Sequence, residues 1–294
     1  MLLAERMFKK PLLSILPGAD GDSKTNCHRS GYTPGIKLLH LRLESAHQMN
    51  NTFAIHQITL VILLLCIYYA AGKLVLDRGI KVNYTRKINH FSIFFLPMLL
   101  NLIFEYQKTT LTRGIGLFIG ILTLAFFVAP LRARSKIIST MFLSFDRPED
   151  RPHTLLWLTT QYIAATIAII PLAIYLNSIN KPQLALIPIL INGLGDGLAE
   201  PIGVRFGRMK YRARALFSDK LYVRSIEGSS CVFIVGILSV IALKDSFTHM
   251  QFLTAITLIP LGTTLAEAYS PHTWDTPFIY GVAGFSIFCI LNYV

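Results

Sequence analysis

Charged residues are scarce in this sequence. Asp, Glu, Lys and Arg together make up 15% of the 294 residues, whereas soluble domains contain about 25%. Hydrophobic residues make up 53%, and the mean hydropathy is +0.51. A chain with so few polar groups cannot cover its apolar surface against water, which excludes an ordinary soluble domain and indicates that lipid is the solvent.

Paired cysteines are also lacking. The four cysteines show no Cys-x-x-Cys spacing, and all but the first lie in apolar runs: Cys27, Cys66, Cys231 and Cys289. We interpret them as packing residues, which excludes a disulfide framework and a cysteine metal site.

Long apolar runs, by contrast, recur after residue 54, each close to the ~20 residues that cross a hydrocarbon core. We identify eight, at approximately 55–76, 89–105, 114–131, 154–177, 183–201, 229–243, 250–268 and 277–294. Backbone groups in lipid must be satisfied within each segment, and a β-barrel would instead show short alternating segments. The sequence therefore predicts an all-α, polytopic membrane bundle of about eight transmembrane helices, forming one domain over 55–294.

The net charge of +12 would suit a nucleic-acid partner, but its placement argues against one. Most basic residues between the runs lie in the segments 73–88, 131–153 and 202–228, which share one side with 269–276. The opposite segments contain only Lys108, Arg113, Lys181 and Lys244. By the positive-inside rule the basic side is cytoplasmic. We therefore expect membrane lipids as partners, and a bacterial inner membrane, or an endoplasmic-reticulum or plastid membrane in a eukaryote, as the location.

Residues 1–54 fit this pattern poorly, because they are basic and contain no convincing apolar periodicity. We interpret them as a disordered extension, or as the product of an over-long gene start with Met49 as the working start. A transit peptide is the alternative, although the acidic residues of this segment count against it.

The fifth run contains polar residues that lipid would not tolerate without a reason. Asn192, Asp196 and Glu200 are spaced to share one helix face. Carboxylates inside a span point to function, and paired carboxylates suit Mg²⁺ together with phosphate oxygens. Pro201 disfavours continuing the helix, so we expect the stripe to end there. The alternative is glycine-mediated helix packing with structural ion pairs.

Phosphate-binding groups follow the fifth run. The basic residues Arg205, Arg208 and Lys210 suit phosphate recognition beside those carboxylates, although a basic loop more often sets topology or contacts anionic lipid. The turn at the start of the sixth run offers small residues whose N–H and hydroxyl groups suit phosphate: Ser225, Gly228 and Ser229. The alternative is a plain helix cap, with Ser229 or Ser230 capping the next helix.

Two more groups lie at run ends on the same predicted side. Arg86, Lys87 and His90 precede the second run, and Glu267 and Asp275 flank the turn between the seventh and eighth. Taken singly, the first three would be interfacial anchors. These residues and Asp196 nevertheless all lie at run ends on the same predicted side of the membrane, which predicts that they form one polar site.

These segments resemble the CTP-dependent lipid-alcohol kinases, which include dolichol kinase, phytol kinase and the CTP-using diacylglycerol kinase. An Arg-Lys-x-x-His signature matches residues 86–90, a Gly-Asp-(Gly/Ala)-x-Ala-x-x-x-Gly signature matches 195–203, and Ser-x-Glu-Gly-Ser matches 225–229. A late Glu followed by Asp-Asn and Pro matches Glu267, Asp275 and Pro277, with Thr276 in place of Asn. The four motifs occur in the family's order, but Glu200 stands where many members are uncharged.

The resemblance implies transfer of the γ-phosphoryl group of CTP, or another nucleotide, to a long isoprenoid or lipid alcohol. It implies a catalytic group of Asp196, His90, Arg86 and Lys87, with His90 or a carboxylate as base. Mg²⁺ would be held by Asp196, Glu200, Glu267 and Asp275. The phosphates would be held by Arg205, Arg208, Lys210, Arg224, Ser225, Gly228 and Ser229.

Two other functions remain open at this stage. A cytidylyltransferase that makes a CDP-lipid would use the same nucleotide, metal and membrane. An ion-coupled transporter could use the same carboxylates near a broken helix, but the sequence shows no inverted repeat and places these carboxylates at span ends.

Overall fold

The computed structural model describes residues 34–215 and 221–294, with side chains from residue 51 onward except at position 110. This part of the chain is mostly helical. In chain order the helices are α1 (Pro34–Arg78), α2 (Val82–Ile103), α3 (Thr110–Ala125), α4 (Ala129–Arg134), α5 (Lys136–Leu143), α6 (Thr154–Ser178), α7 (Pro182–Phe206), α8 (Ile226–Ala242), α9 (His249–Tyr269) and α10 (Asp275–Tyr293).

Five helices within the described residues are long and apolar enough to cross a membrane: Asn51–Arg78 of α1, and the whole of α6, α7, α9 and α10. This agrees with the predicted all-α membrane protein. The predicted number of about eight spans is not confirmed, because α3 and α8 contain shorter apolar stretches, and α2, although 22 residues long, is not among the helices apolar enough to span. Each of the eight predicted apolar runs nevertheless overlaps a helix.

Helix α7 lies at the centre of the bundle. The apolar window of α7 is 56% buried, against 17% for that of α6. Its residues Ile187 and Ile191 are fully buried in a core shared with α6, α8, α9 and α10. The outer helices instead expose aliphatic side chains such as Ile167 and Ile174, as expected where lipid is the neighbour. The helix that carries the predicted carboxylates is therefore the one most enclosed by protein.

Helix α1 packs against α5 rather than in the central core. A second apolar cluster joins Leu64 and Tyr68 of α1 to Phe127, Phe142 and Phe145. The helix is continuous from Pro34, so residues 34–54 of the expected N-terminal extension are helical. Residues 1–33 lie outside the described residues.

Two local features differ from expectation. The segment 202–228, interpreted as a loop, contains an antiparallel hairpin of strands β1 (Lys210–Arg214) and β2 (Leu221–Ser225). The helix also does not end at Pro201, because α7 continues to Phe206. Proline removes one helical hydrogen bond, and the packing of this part of α7 between α2 and α8 holds the helix together despite that loss.

Close packing between α8 and α9 gives a test of the fold. A Cβ added at Gly236 would lie 2.9 Å from the Cα of Pro260, so Gly236→Ala forces the two helices apart. We expect a loss of about 1–3 kcal/mol in unfolding free energy, measured as a lower midpoint of thermal unfolding in detergent. Gly281→Ala in α10 is the matched control, since nothing lies within 4 Å of its added Cβ. Equal midpoints for the two variants would contradict this packing.

Candidate functional site

A cavity of about 650 Å³ opens at one end of the helical bundle. Its walls come from the start of α2, the second half of α7, the hairpin and the turn between α9 and α10. Arg147, from the segment between α5 and α6, also lines it. The four segments predicted to share one side of the membrane therefore meet at one end of the structure.

Most of the predicted site residues line this cavity. They are Arg86, Lys87, Asp196, Glu200, Lys210, Arg224, Ser225, Gly228, Ser229, Glu267 and Asp275. These positions are widely separated in the chain, and only the tertiary fold brings them together. The prediction that they form one polar site agrees with this geometry, while the role of each residue stays a prediction.

Asp196 is held by Lys87. The Lys87 ammonium donates to the backbone carbonyl of Asp196 at 2.8 Å and to its Oδ2 at 3.1 Å, and both side chains are buried. Asp196 ends a π-helical segment, Ile191–Asp196, a local widening of a helix that is frequent at functional sites. Gly197 follows, where a Cβ would lie 2.5 Å from the Phe91 ring. The missing side chain lets α2 approach closely enough for Lys87 to reach Asp196.

Glu200 is bound from two other segments. Its Oε1 accepts from Arg147 Nη1 at 2.7 Å and from Asn83 Nδ2 at 2.8 Å, and Lys87 Nζ lies 3.9 Å from Oε2. Asp196 and Glu200 therefore share Lys87, one turn apart on α7. The side chain of Glu200 is largely buried, so these partners offset the cost of removing its charge from water.

Arg147 binds partners through all three of its side-chain nitrogens. Besides Glu200, its Nε donates to Asp150 at 2.7 Å and its Nη2 to His272 Nε2 at 2.8 Å. Because arginine can only donate, the Nε2 of His272 accepts in this contact. The same atom lies 3.2 Å from Asp150 Oδ1, a contact in which it would have to donate, so it makes one of the two bonds at a time. Burial lowers the pKa of His272 to about 4, and the charges of Arg147 and Arg86 act in the same direction against Asp150.

Glu267 and Asp275 form a second acidic group across the cavity, around Arg224. Arg224 Nη1 donates to Glu267 Oε1 at 3.0 Å and to its backbone carbonyl, and Nη2 lies 3.9 Å from Asp275 Oδ2. Ser229 donates to Glu267 Oε2 at 2.7 Å. Gln161 of α6 donates to Asp275 Oδ1 at 3.0 Å.

The serine turn caps helix α8. Ser225 Oγ accepts from the Gly228 N–H at 3.1 Å, which is the plain capping arrangement. Gly228 packs on α7, where an added Cβ would lie 2.6 Å from the Ala199 carbonyl oxygen. The cap is Ser225 and not Ser229 or Ser230 as expected, and it lies in the cavity wall.

Three predicted residues stand apart from the cavity lining. His90 lies behind Asp196, with Nε2 at 3.7 Å from Oδ2 and 3.1 Å from the Asn192 carbonyl oxygen. A contact with a carbonyl requires Nε2 to carry a proton, so this nitrogen donates. Arg205 lies over the Phe206 ring, and Arg208 is exposed beside the hairpin.

The carboxylates are of the type that binds hard cations, but they do not form a ready cage. Among residues 51–215 and 221–294, no group of three or more acidic, His or Cys side chains is arranged to hold a metal. Each predicted ligand instead contacts a basic side chain: Asp196 and Glu200 contact Lys87, and Glu267 and Asp275 contact Arg224. Mg²⁺ is commonly bound through one or two carboxylates plus substrate oxygens, so an ion here would have to take carboxylate oxygens from Lys87 or Arg224.

Several site residues were missed at the sequence level. Asn83, Arg147 and His272 line the cavity, and Asp150 and Gln161 support it. In the sequence, Arg147 is only one of the basic residues of the segment 131–153 that indicate the topology. Nothing local marks it out, because its partners Glu200 and His272 are distant in the chain.

No family model, curated protein or solved structure matches this chain.

Replacing Arg147 tests whether it holds the site together. Arg147→Gln leaves Asp150 and Glu200 without their main partner, and breaking a buried pair in this way costs about 3–5 kcal/mol. We expect a clear fall in the thermal unfolding midpoint in detergent. Lys73→Gln is the control, because Lys73 forms an exposed pair with Asp77 and should leave the midpoint unchanged. A midpoint for Arg147→Gln as high as that of the control would refute the assignment.

The neutral His272 predicts a pH dependence. Its folded pKa of about 4 lies below the ordinary 6.5, so the unfolded chain binds the proton first as pH falls. Stability is complete above about pH 6.5 and declines toward pH 4, by up to about 1.4 kcal/mol per pH unit. Thermal unfolding across this range should show the decline, and His272→Asn should flatten it. The exposed His249→Asn variant should follow the wild-type curve. An unchanged slope in His272→Asn would contradict the assignment.

Proposed function

We propose that this protein transfers the γ-phosphoryl group of CTP, or of another nucleoside triphosphate, to the hydroxyl of a long isoprenoid or lipid alcohol at the cytoplasmic membrane face. One observation carries the proposal: acidic and basic side chains from four resemblance motifs line a single cavity at the end of an apolar helical bundle. Phosphoryl transfer needs positioning and charge neutralisation more than covalent chemistry, and this cavity offers groups for both.

The basic residues of the cavity are the groups for the nucleotide. Arg224, Lys210 and Arg86 line it, and Arg224 lies between Glu267 and Asp275. When triphosphate oxygens contact Arg224, its hold on these carboxylates weakens, and carboxylate oxygens become free. Arg205 and Arg208, which do not line the cavity, would contribute only to the general positive field.

Asp196 and Glu267 are the best placed residues for the magnesium that accompanies the nucleotide. Both line the cavity and are buried, with Asp275 beside Glu267. Bound Mg²⁺ would neutralise charge on the β- and γ-phosphates. Lys87 orients Asp196 through two hydrogen bonds, while Glu200, bound by Arg147 and Asn83, is the less free of the α7 carboxylates.

The base is better assigned to a cavity carboxylate than to His90. The Nε2 atom of His90 carries its proton and donates to the Asn192 carbonyl, and His90 is not part of the cavity lining. We assign His90 to positioning the π-helical segment that presents Asp196. The acceptor's tail would remain among the apolar helices, so the substrate need not leave the lipid.

A labelling assay tests this function. Purified protein with polyprenol, phytol or dolichol should transfer label from γ-labelled CTP to lipid in the presence of Mg²⁺, and chelation should abolish transfer. Asp196→Asn should lower the rate at least about 10²-fold with membrane insertion retained. Because it also breaks the buried pair with Lys87, the rates are compared at a temperature well below the unfolding midpoint of the variant. The exposed Asp245→Asn variant, between α8 and α9, is the matched control and should retain the rate.

The outcomes separate the alternatives. Lipid labelled from the cytosine ring rather than the γ-phosphate would show a cytidylyltransferase. If no alcohol gives a nucleotide-dependent product, the kinase proposal is refuted, and ion transport by the same carboxylates becomes the favoured alternative. Full activity in Asp196→Asn would refute the assignment of the site.

A further inference from the structure

The β-hairpin has one face fixed to the helices and one face that is free among the described residues. On the fixed face, Tyr211 Oη lies 2.6 Å from Ser229 Oγ, and Tyr222 stacks on His272 with ring centroids 3.5 Å apart. The ion pair of Arg224 with Glu267 lies on the same side. These contacts hold the hairpin in one orientation.

The opposite face is both basic and apolar. Lys210, Arg212 and Arg214 alternate along β1 and are exposed. Val223 lies across from Arg212 and Leu221 across from Arg214, and these aliphatic residues are 63% and 51% exposed. We call these five residues the outer face. The described ion pairs include none of its three basic residues.

The position of the hairpin indicates what this face contacts. It joins the end of α7 at Phe206 to the start of α8 at Ile226, so it lies at the ends of two apolar helices. Phe206 and Met209, at its base, are each 59% exposed. Exposed aliphatic residues beside basic ones are unfavourable in water, but they suit a bilayer interface, where apolar groups enter the acyl boundary and cations meet anionic headgroups.

We propose that the outer face of the hairpin is a membrane-surface contact that binds anionic phospholipid headgroups through Arg212 and Arg214 and inserts Leu221 and Val223 between them. The proposal does not depend on the kinase function. Leu221 and Val223 also line the cavity, so this contact places the cavity mouth against the lipid surface.

A solvent-sensitive fluorophore tests the contact. It is attached after Val223→Cys in a background with the four native cysteines replaced by Ala, and the protein is placed in phosphatidylcholine nanodiscs with rising phosphatidylglycerol content. We expect the emission to shift to the blue as the anionic lipid increases, and high salt to reverse part of the shift.

The variants decide which residues are responsible. Each basic residue near an anionic surface raises the affinity roughly fivefold, so Arg212→Gln with Arg214→Gln should weaken the apparent affinity for phosphatidylglycerol roughly 25-fold. The control is Arg134→Gln with Lys136→Gln, an equal loss of charge at exposed positions elsewhere, which should keep the wild-type response.

A shift that is independent of phosphatidylglycerol, or an equal loss in both double variants, would overturn the proposal. If the cysteine-free protein does not fold, retention of phosphatidylglycerol by the two double variants in native mass spectrometry gives the same decision. Loss of retention only in the Arg212 and Arg214 variant supports the proposal, and equal retention rejects it. Neither readout uses enzymatic activity, so failure of the kinase assay leaves the result interpretable.

Discussion

The structure of the site depends on pairing the carboxylates of helix α7 with cations from other segments. Asp196 and Glu200 lie on the most enclosed helix of the bundle, where an uncompensated charge is strongly destabilising. Lys87 and Arg147 supply the compensation from α2 and from the segment before α6. These ion pairs therefore connect the central core to the peripheral helices, and the shape of the cavity follows from them.

The same pairing keeps the cavity polar and in a fixed geometry without a ligand. Each acidic group has a basic partner: Lys87 for the two carboxylates of α7, and Arg224 for Glu267 and Asp275. Arg147 differs, because each of its three nitrogens has a partner in the protein: Asp150, Glu200 and His272. All three cations line the cavity, and Arg147 is the one whose partners come from three different segments of the chain.

The π-helical segment of α7 and its glycines explain how so much polarity fits inside an apolar bundle. Gly197 admits the ring of Phe91, and Gly195 allows the backbone of α8 at Val232 to approach. Close contact with neighbouring helices encloses Asp196 in protein, which supplies polar partners that lipid cannot. The hairpin then covers one side of the opening, held by its own contacts to α8 and to the turn after α9.

Composition and hydropathy were sufficient to predict a helical membrane protein, because in lipid each span must have apolar side chains and must satisfy its own backbone hydrogen bonds. Both requirements can be read from a short stretch of sequence. The spacing of Asp196 and Glu200, and the basic bias of the connecting segments, were enough to predict a polar site at one end. The number of spans was not determined, since α3 and α8 are short and α2 begins with polar residues. Only the tertiary structure revealed Arg147, Asn83 and His272 as site residues, and separated Arg205 and Arg208 from the cavity. The reason is physical: apolar periodicity is a property of neighbouring residues, whereas a buried ion pair such as Arg147 with Glu200 exists only when segments distant in the chain are packed together.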